Sequence, residues 1–251
     1  MVADQYVWFI WSVAFLVPWA GLYVAFPIHR RAMIWTSLLT APFGFTEPIF
    51  VPEYWSPPSL FDLARRTGFD IESVVFSFAI GGVGVVLYNA LTGARYVPVE
   101  AAERRRPLHR HHYLALAAPF VSFPILYALP WNPIYAAIAA MVVGGIANVL
   151  CRPDLKAKTW VGAVLFVAYY AVFFIGLVWL SPGYVARVWN LAALSGVIVA
   201  GIPIEELLFA AAFGLYWAGA YEHFTWNGVA QHRQPNANSA GARSARRLKA
   251  R

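Results

Sequence analysis

Seven long apolar stretches set the pattern of the chain: residues 6–26, 32–51, 71–91, 113–129, 133–150, 159–180 and 203–221, separated by more polar connections. Each approaches the roughly 20 helical residues needed to cross a hydrocarbon core. The pattern predicts an all-α fold, an integral membrane bundle of seven transmembrane helices. The fourth stretch is the shortest and carries Pro119 and Pro124. Two connections, 52–70 and 181–202, are long for membrane hairpins. Each is expected to hold a short interfacial or re-entrant helix, which makes both candidate lids. Residues 223–251, rich in Asn, Ser, Ala and Arg towards the end, read as a disordered basic cytoplasmic tail.

The third and seventh stretches repeat one another. Ile71, Glu72, Phe76, Gly81 and Tyr88 recur as Ile204, Glu205, Phe209, Gly214 and Tyr221, at a constant offset of 133 residues (71 to 204). Upstream, the segment from Pro27 to Trp35, with Arg30 and Arg31, has a counterpart from Pro153 to Trp160, with Lys156 and Lys158. Stretches one to three therefore match five to seven. Three spans reverse the direction of a chain, so the fourth stretch restores it and makes the two repeats parallel. The expected organisation is a first three-helix repeat over 1–91, a cytoplasmic basic loop and linking helix over 92–132, a second repeat over 133–222, and the tail over 223–251. A binding site belongs at the interface of the repeats.

Composition agrees with this reading: 60% of the residues are hydrophobic and only 12% charged, far from the soluble average. All Lys and Arg residues fall outside the seven stretches. Arg30, Arg31, Arg95, Arg104, Arg105, Arg106, Arg110, Arg152, Lys156, Lys158 and the tail cations lie on one side, and only Arg65, Arg66 and Arg187 on the other. The imbalance places the N-terminus outside and the C-terminus in the cytoplasm. Trp8, Trp55, Trp131, Trp160, Trp179 and Trp226 stand near predicted span ends, as interfacial anchors do. The formal charge of +7 is thereby assigned to loops facing anionic membrane lipid rather than to nucleic acid. The residues before Tyr6 include Asp4 and no cation, so the first helix is expected to stay rather than be cleaved.

Of the acidic residues, only Glu47, Glu72, Glu205 and Glu206 fall inside predicted spans, and intramembrane carboxyls are functional candidates by default. The alternative is a structural one: an acid in a first turn complements the helix dipole, and Asp70 is placed to cap the third helix. The repeat favours function for Glu72 and Glu205. Neighbouring helix residues project about 100° apart, so Glu205 and Glu206 cannot both point straight into one cavity. Ser73 stands where Glu206 does, so the two repeats contribute unequally. Phe76 and Phe209 share helix faces with the matched acids, as cavity-lining or packing aromatics.

Other chemistries are excluded by absence. Gly81-Gly82-Val83-Gly84 follows no strand and is no dinucleotide fingerprint; close helix packing is its expected use. No lysine lies in a predicted span to form a retinal Schiff base. Asp4, Asp62, Asp70 and Asp154 form no close pair for a magnesium–diphosphate site. His109, His111 and His112 read as part of a solvated basic loop rather than a metal site. The single Cys151 reads as a small apolar residue. No cofactor and no metal are expected.

The blocks Pro203-Ile204-Glu205-Glu206-Leu207-Leu208-Phe209, Phe69-Asp70-Ile71-Glu72 and Pro52-Glu53-Tyr54-Trp55 resemble the lycopene cyclase domain family over roughly residues 1–225. In that family two homologous three-helix units occur as separate subunits or as one fused chain. The first block of this chain departs from the paired-acid form at Ser73. The resemblance implies a lycopene β-cyclase acting on a lipophilic carotene without cofactor, with Glu205 and Glu72 in acid and base roles, Glu206 sharing or tuning the proton, and Glu47 a weaker participant. A carboxylic acid in a dry site suits protonation of an alkene, since burial favours its neutral form. Phe76, Phe209, Tyr54 and Tyr184 are candidates for stabilising the resulting cation by their aromatic faces. A non-enzymatic carotenoid or lipid binder and a proton-coupled transporter remain as alternatives.

Overall fold

The computed structural model describes residues 3–230. Along the chain, α1 (Asp4–Ala25), α2 (Arg30–Thr40), α3 (Glu47–Phe50) and α4 (Leu63–Thr67) precede the central helix α5 (Ile71–Thr92). Strand β1 (Arg95–Pro98), α6 (Ala101–Arg104) and α7 (His112–Tyr127) follow, then α8 (Pro133–Cys151), α9 (Lys156–Leu180) and α10 (Tyr184–Val188). Strands β2 (Ile198–Val199) and β3 (Ile202–Pro203), helices α11 (Ile204–Trp217) and α12 (Ala220–Thr225), and strand β4 (Asn227–Ala230) complete it.

Four helical segments, Asp4–Ala25, Ile71–Thr92, Pro133–Cys151 and Pro153–Leu180, are long and apolar enough to cross a membrane. The other three expected spans are shorter or interrupted. A 3₁₀ turn, Ala41–Thr46, separates α2 from α3, with prolines at the start of each segment after the break. Proline lacks an N–H and its ring clashes with the preceding turn, so a continuous helix stops there. Helix α7 contains Pro119 and Pro124 and ends after 16 residues. Helix α11 ends after 14 residues, and α12 begins beyond Gly219.

Helix α5 is the axis of the fold. Asp70 caps it by accepting a hydrogen bond from the Ser73 N–H at 2.6 Å, and Gly93, with a φ of 67°, ends it. It packs against α1 and α2 on one side and α9 and α11 on the other. A Cβ at Gly81 would lie 1.9 Å from Thr40 Oγ1, so the approach of α2 requires glycine there. The glycine-rich run thus serves helix packing. Helix α8 lies between α7 and α11. Val17, Val24, Val164 and Val172 project outward from α1 and α9, an apolar exterior that water solvates poorly.

The two long connections, 52–70 and 181–202, expected on the outer side and called the outer connections, do contain short helices, α4 and α10, and they are joined. Ser56 N donates to Val188 O at 2.8 Å, Asn190 N donates to Tyr54 O at 2.9 Å, and Trp55 and Trp189 form an antiparallel bridge. At the opposite end, β1 pairs with β4 in antiparallel register, Arg95 opposite Ala230. Residues 223–230 are therefore ordered, which corrects the expected start of the tail; 231–251 lie outside the described residues. A second correction concerns Arg152 and Lys158, expected in a lipid-facing loop. Both are buried: Arg152 pairs with Asp154, and Lys158, in the first turn of α9, pairs with Glu222.

Candidate active site

A cavity of about 340 Å³ opens among α1, the 41–50 segment, α5, α7, α8, α9 and α11. Its wall is aromatic and aliphatic: Phe15, Phe76, Phe174, Phe209 and Phe213 contribute rings, and Ile80, Ile134 and Met141 contribute aliphatic surface. Two carboxyl groups interrupt it, Glu47 and Glu206. Phe43 and Phe120, both exposed, stack at its rim with centroids 6.1 Å apart.

Glu206 lies in the first turn of α11 and is buried. Its Oε1 accepts hydrogen bonds from the Tyr54 hydroxyl and from Trp189 Nε1 at 2.7 Å; its Oε2 accepts from the Tyr170 hydroxyl at 2.6 Å. Tyr54 and Trp189 come from the two joined connections, so those connections and the carboxyl are one hydrogen-bonded unit. Burial and the neighbouring Glu206 carboxyl push the Tyr54 phenol well above its ordinary range, which keeps it a donor.

Glu47 is held differently. It opens α3, where the chain leaves the 41–46 turn. Its Oε1 accepts from the Ser73 hydroxyl at 2.7 Å, and Ser73 in turn accepts from Trp8 Nε1 at 3.3 Å. Its Oε2 is buried without a hydrogen-bond partner among the described residues. Ser73 thus holds the other cavity carboxyl.

Glu72 and Glu205 are buried but are not in the cavity wall. Each ties an outer connection to the end of a helix: Glu72 Oε1 accepts from Leu60 N at 2.7 Å, and Glu205 Oε1 accepts from Ser195 N at 2.9 Å and from the Tyr135 hydroxyl at 2.7 Å. The structure therefore does not bring together the two glutamates that the repeat singled out. Phe76, Phe209 and Tyr54 are in the wall as expected. Tyr184 is not; it is fully buried in α10 beneath Trp189, with ring centroids 6.3 Å apart. Sequence reasoning missed Tyr170, Trp189 and Trp8. The available signal for Tyr170 was a phenol in mid-span, where an unpaired hydroxyl is costly.

The arrangement provides an apolar, aromatic chamber with one carboxyl hydrogen-bonded at both oxygens and one half-partnered carboxyl. That combination suits proton delivery and removal on an apolar molecule. Residues 132–224 match the family model described as Lycopene cyclase. No curated protein and no solved structure matches the chain.

Proposed function

We propose, from the premise that residues 132–224 form a lycopene cyclase domain, that the protein is a membrane-embedded carotenoid cyclase closing β-type rings on linear carotene end groups. The observation that carries this reading is the pair of carboxyls, Glu47 and Glu206, in the wall of an otherwise apolar, aromatic cavity. The match covers the second unit, which supplies Glu206, Tyr170 and Trp189; Glu47 and Tyr54 come from the first. Two parallel three-helix units joined by α7, with the N-terminus outside and the C-terminus cytoplasmic, form the scaffold.

The chemistry is a redox-neutral isomerisation. A proton adds to the terminal double bond of the end group and leaves a tertiary cation. The neighbouring double bond attacks that centre, forming the ring carbon–carbon bond and moving the charge into the ring. Loss of a ring proton to a carboxylate completes the ring double bond. Glu47 fits the donor: Ser73 satisfies one oxygen and leaves Oε2 to carry the hydrogen. Glu206, with three donors aimed at its oxygens, fits the ionised partner that steadies the cation and takes the proton. The rings of Phe76, Phe209 and Tyr170 face the same space, where a desolvated cation gains roughly 2 kcal/mol or more from an aromatic face.

The carotene reaches the cavity from the bilayer between Phe43 and Phe120, with one end group inside and the rest of the polyene in lipid. Expression in a lycopene-accumulating host with chromatography of the pigments tests the reading. The parent chain yields cyclic carotene, and Glu206→Gln and Glu47→Gln accumulate linear substrate. Unchanged cyclisation in both variants would sink it.

A further inference from the structure

At the end of the molecule opposite the outer connections, four metal-ligating side chains from separate elements converge. His112, Cys151 and His223 offer ligand atoms all within 4.8 Å of one another, and all three are buried. The Cys151 sulfur lies 3.8 Å from His112 Nδ1 and also 3.8 Å from His109 Nδ1. His109 is buried as well. We propose that His109, His112, Cys151 and His223 form a structural zinc site that fastens the linking segment to α8 and α12.

Geometry supports a shared ion. A sulfur and a nitrogen on a tetrahedral zinc with Zn–S near 2.3 Å and Zn–N near 2.0–2.1 Å lie roughly 3.6 Å apart, close to the 3.8 Å that separates the Cys151 sulfur from His109 Nδ1 and from His112 Nδ1. His223 is otherwise unexplained: both of its ring nitrogens are buried without a hydrogen-bond partner among the described residues. Stacking of His112 on Trp226, with centroids 3.8 Å apart, holds the His112 ring with Nδ1 towards the sulfur. His109 Nδ1 faces the sulfur at 3.8 Å, which places it as the fourth ligand; its Nε2 lies 3.6 Å from Glu103 Oε1, beyond hydrogen-bond reach, and is buried without a partner among the described residues.

The local charge is compatible. Arg104 and Arg152 are nearby cations, each with its guanidinium 5.7 Å from the Trp226 ring, and Arg152 is already paired bidentately with Asp154 at 2.8 and 2.6 Å. A thiolate with neutral imidazoles selects a borderline-soft divalent ion over magnesium or calcium. With four protein ligands the site is closed, which fits a structural rather than a hydrolytic role. Its ligands come from the 107–109 turn, the first residue of α7, the last residue of α8, and α12.

The test uses the full chain in detergent with any affinity tag removed. Elemental analysis should find about one zinc per chain. After chelator stripping, Co(II) should give the intense visible bands of a tetrahedral site and a thiolate charge-transfer band. Cys151→Ser, a near-isosteric change, should abolish the charge-transfer band, and His223→Gln should weaken Co(II) binding at least tenfold. Failure of the parent chain to bind either metal overturns the proposal, as does a cobalt spectrum unaltered in both variants. The readout is independent of carotene turnover, so it succeeds or fails apart from the cyclase reading.

Discussion

Glu206 and Glu205 are adjacent, yet one faces an aromatic cavity and the other the Ser195 N–H of the 181–202 connection and the Tyr135 phenol of α8. Positioned acid–base groups contribute about 10²–10⁴-fold in rate. Glu206→Gln is therefore expected to lower turnover by that factor, whereas Glu205→Gln keeps an acceptor oxygen for Ser195 N and Tyr135 and should lose less than about tenfold. Pigment conversion per unit of folded protein distinguishes them; equal losses would remove the assignment. A second expectation follows from the donors. Tyr54→Phe removes one hydrogen bond to a buried carboxyl, worth about 1.5–3 kcal/mol, and should slow cyclisation roughly 10–100-fold while the protein still folds. Turnover of Tyr54→Phe within twofold of the parent would show that this bond is not used. The Pro-x-Glu-Glu block was legible in the sequence, but the inward-facing member was not. Repetition picked out Glu72 and Glu205, the pair with a shared anchoring geometry, while the unmatched pair Ser73 and Glu206 meets the cavity. Helix phase depends on what the helix packs against, and one sequence does not contain that.

Among the elements, the 41–50 segment decides where Glu47 sits. Gly44 presses so closely on α5 that a Cβ would lie 2.4 Å from Val74 N and 2.5 Å from Val74 Cα, backbone atoms that have nowhere to move. Gly44→Ala should displace the segment, lower stability by about 1–3 kcal/mol through overpacking, and reduce turnover by shifting Glu47. Gly21, in α1, has nothing within 4 Å of its Cβ position, so Gly21→Ala should be neutral or stabilising by up to about 1 kcal/mol. Thermal melting in detergent compares the two; a Gly44→Ala protein as stable as the parent contradicts the packing argument. Hydropathy alone reads 32–51 as one span because Pro42, Gly44 and Pro48 scarcely change its average. The break is a backbone property. The short helices of the outer connections were readable from proline and length, but their mutual pairing, Ser56 to Val188 and Asn190 to Tyr54, joins positions more than a hundred residues apart. No local pattern encodes it.

Across the whole molecule, the first and second halves meet at a buried polar cluster as well as through the cavity. Lys158 Nζ bonds Glu222 and donates to Val85 O at 2.9 Å on α5, and Asn89 Nδ2 of α5 donates to Glu222 Oε1 at 3.2 Å. Asn89 and Glu222 stand at the same 133-residue offset as the glutamate blocks. The charge balance along the chain assigned Lys158 to a loop, because a lysine just before an apolar run looks solvated until its partner, 64 residues away, is known. Removing one member of a buried ion pair strands the other charge and costs about 3–5 kcal/mol, whereas replacing both with apolar residues is often near neutral. Lys158→Met and Glu222→Met should each lower the melting temperature sharply, and the double variant should recover most of the loss. The recovered fraction measures the coupling between halves. Additive losses in the double variant would mean that each residue acts alone and that the halves are held together by the aromatic and glycine contacts of α5, α9 and α11 instead.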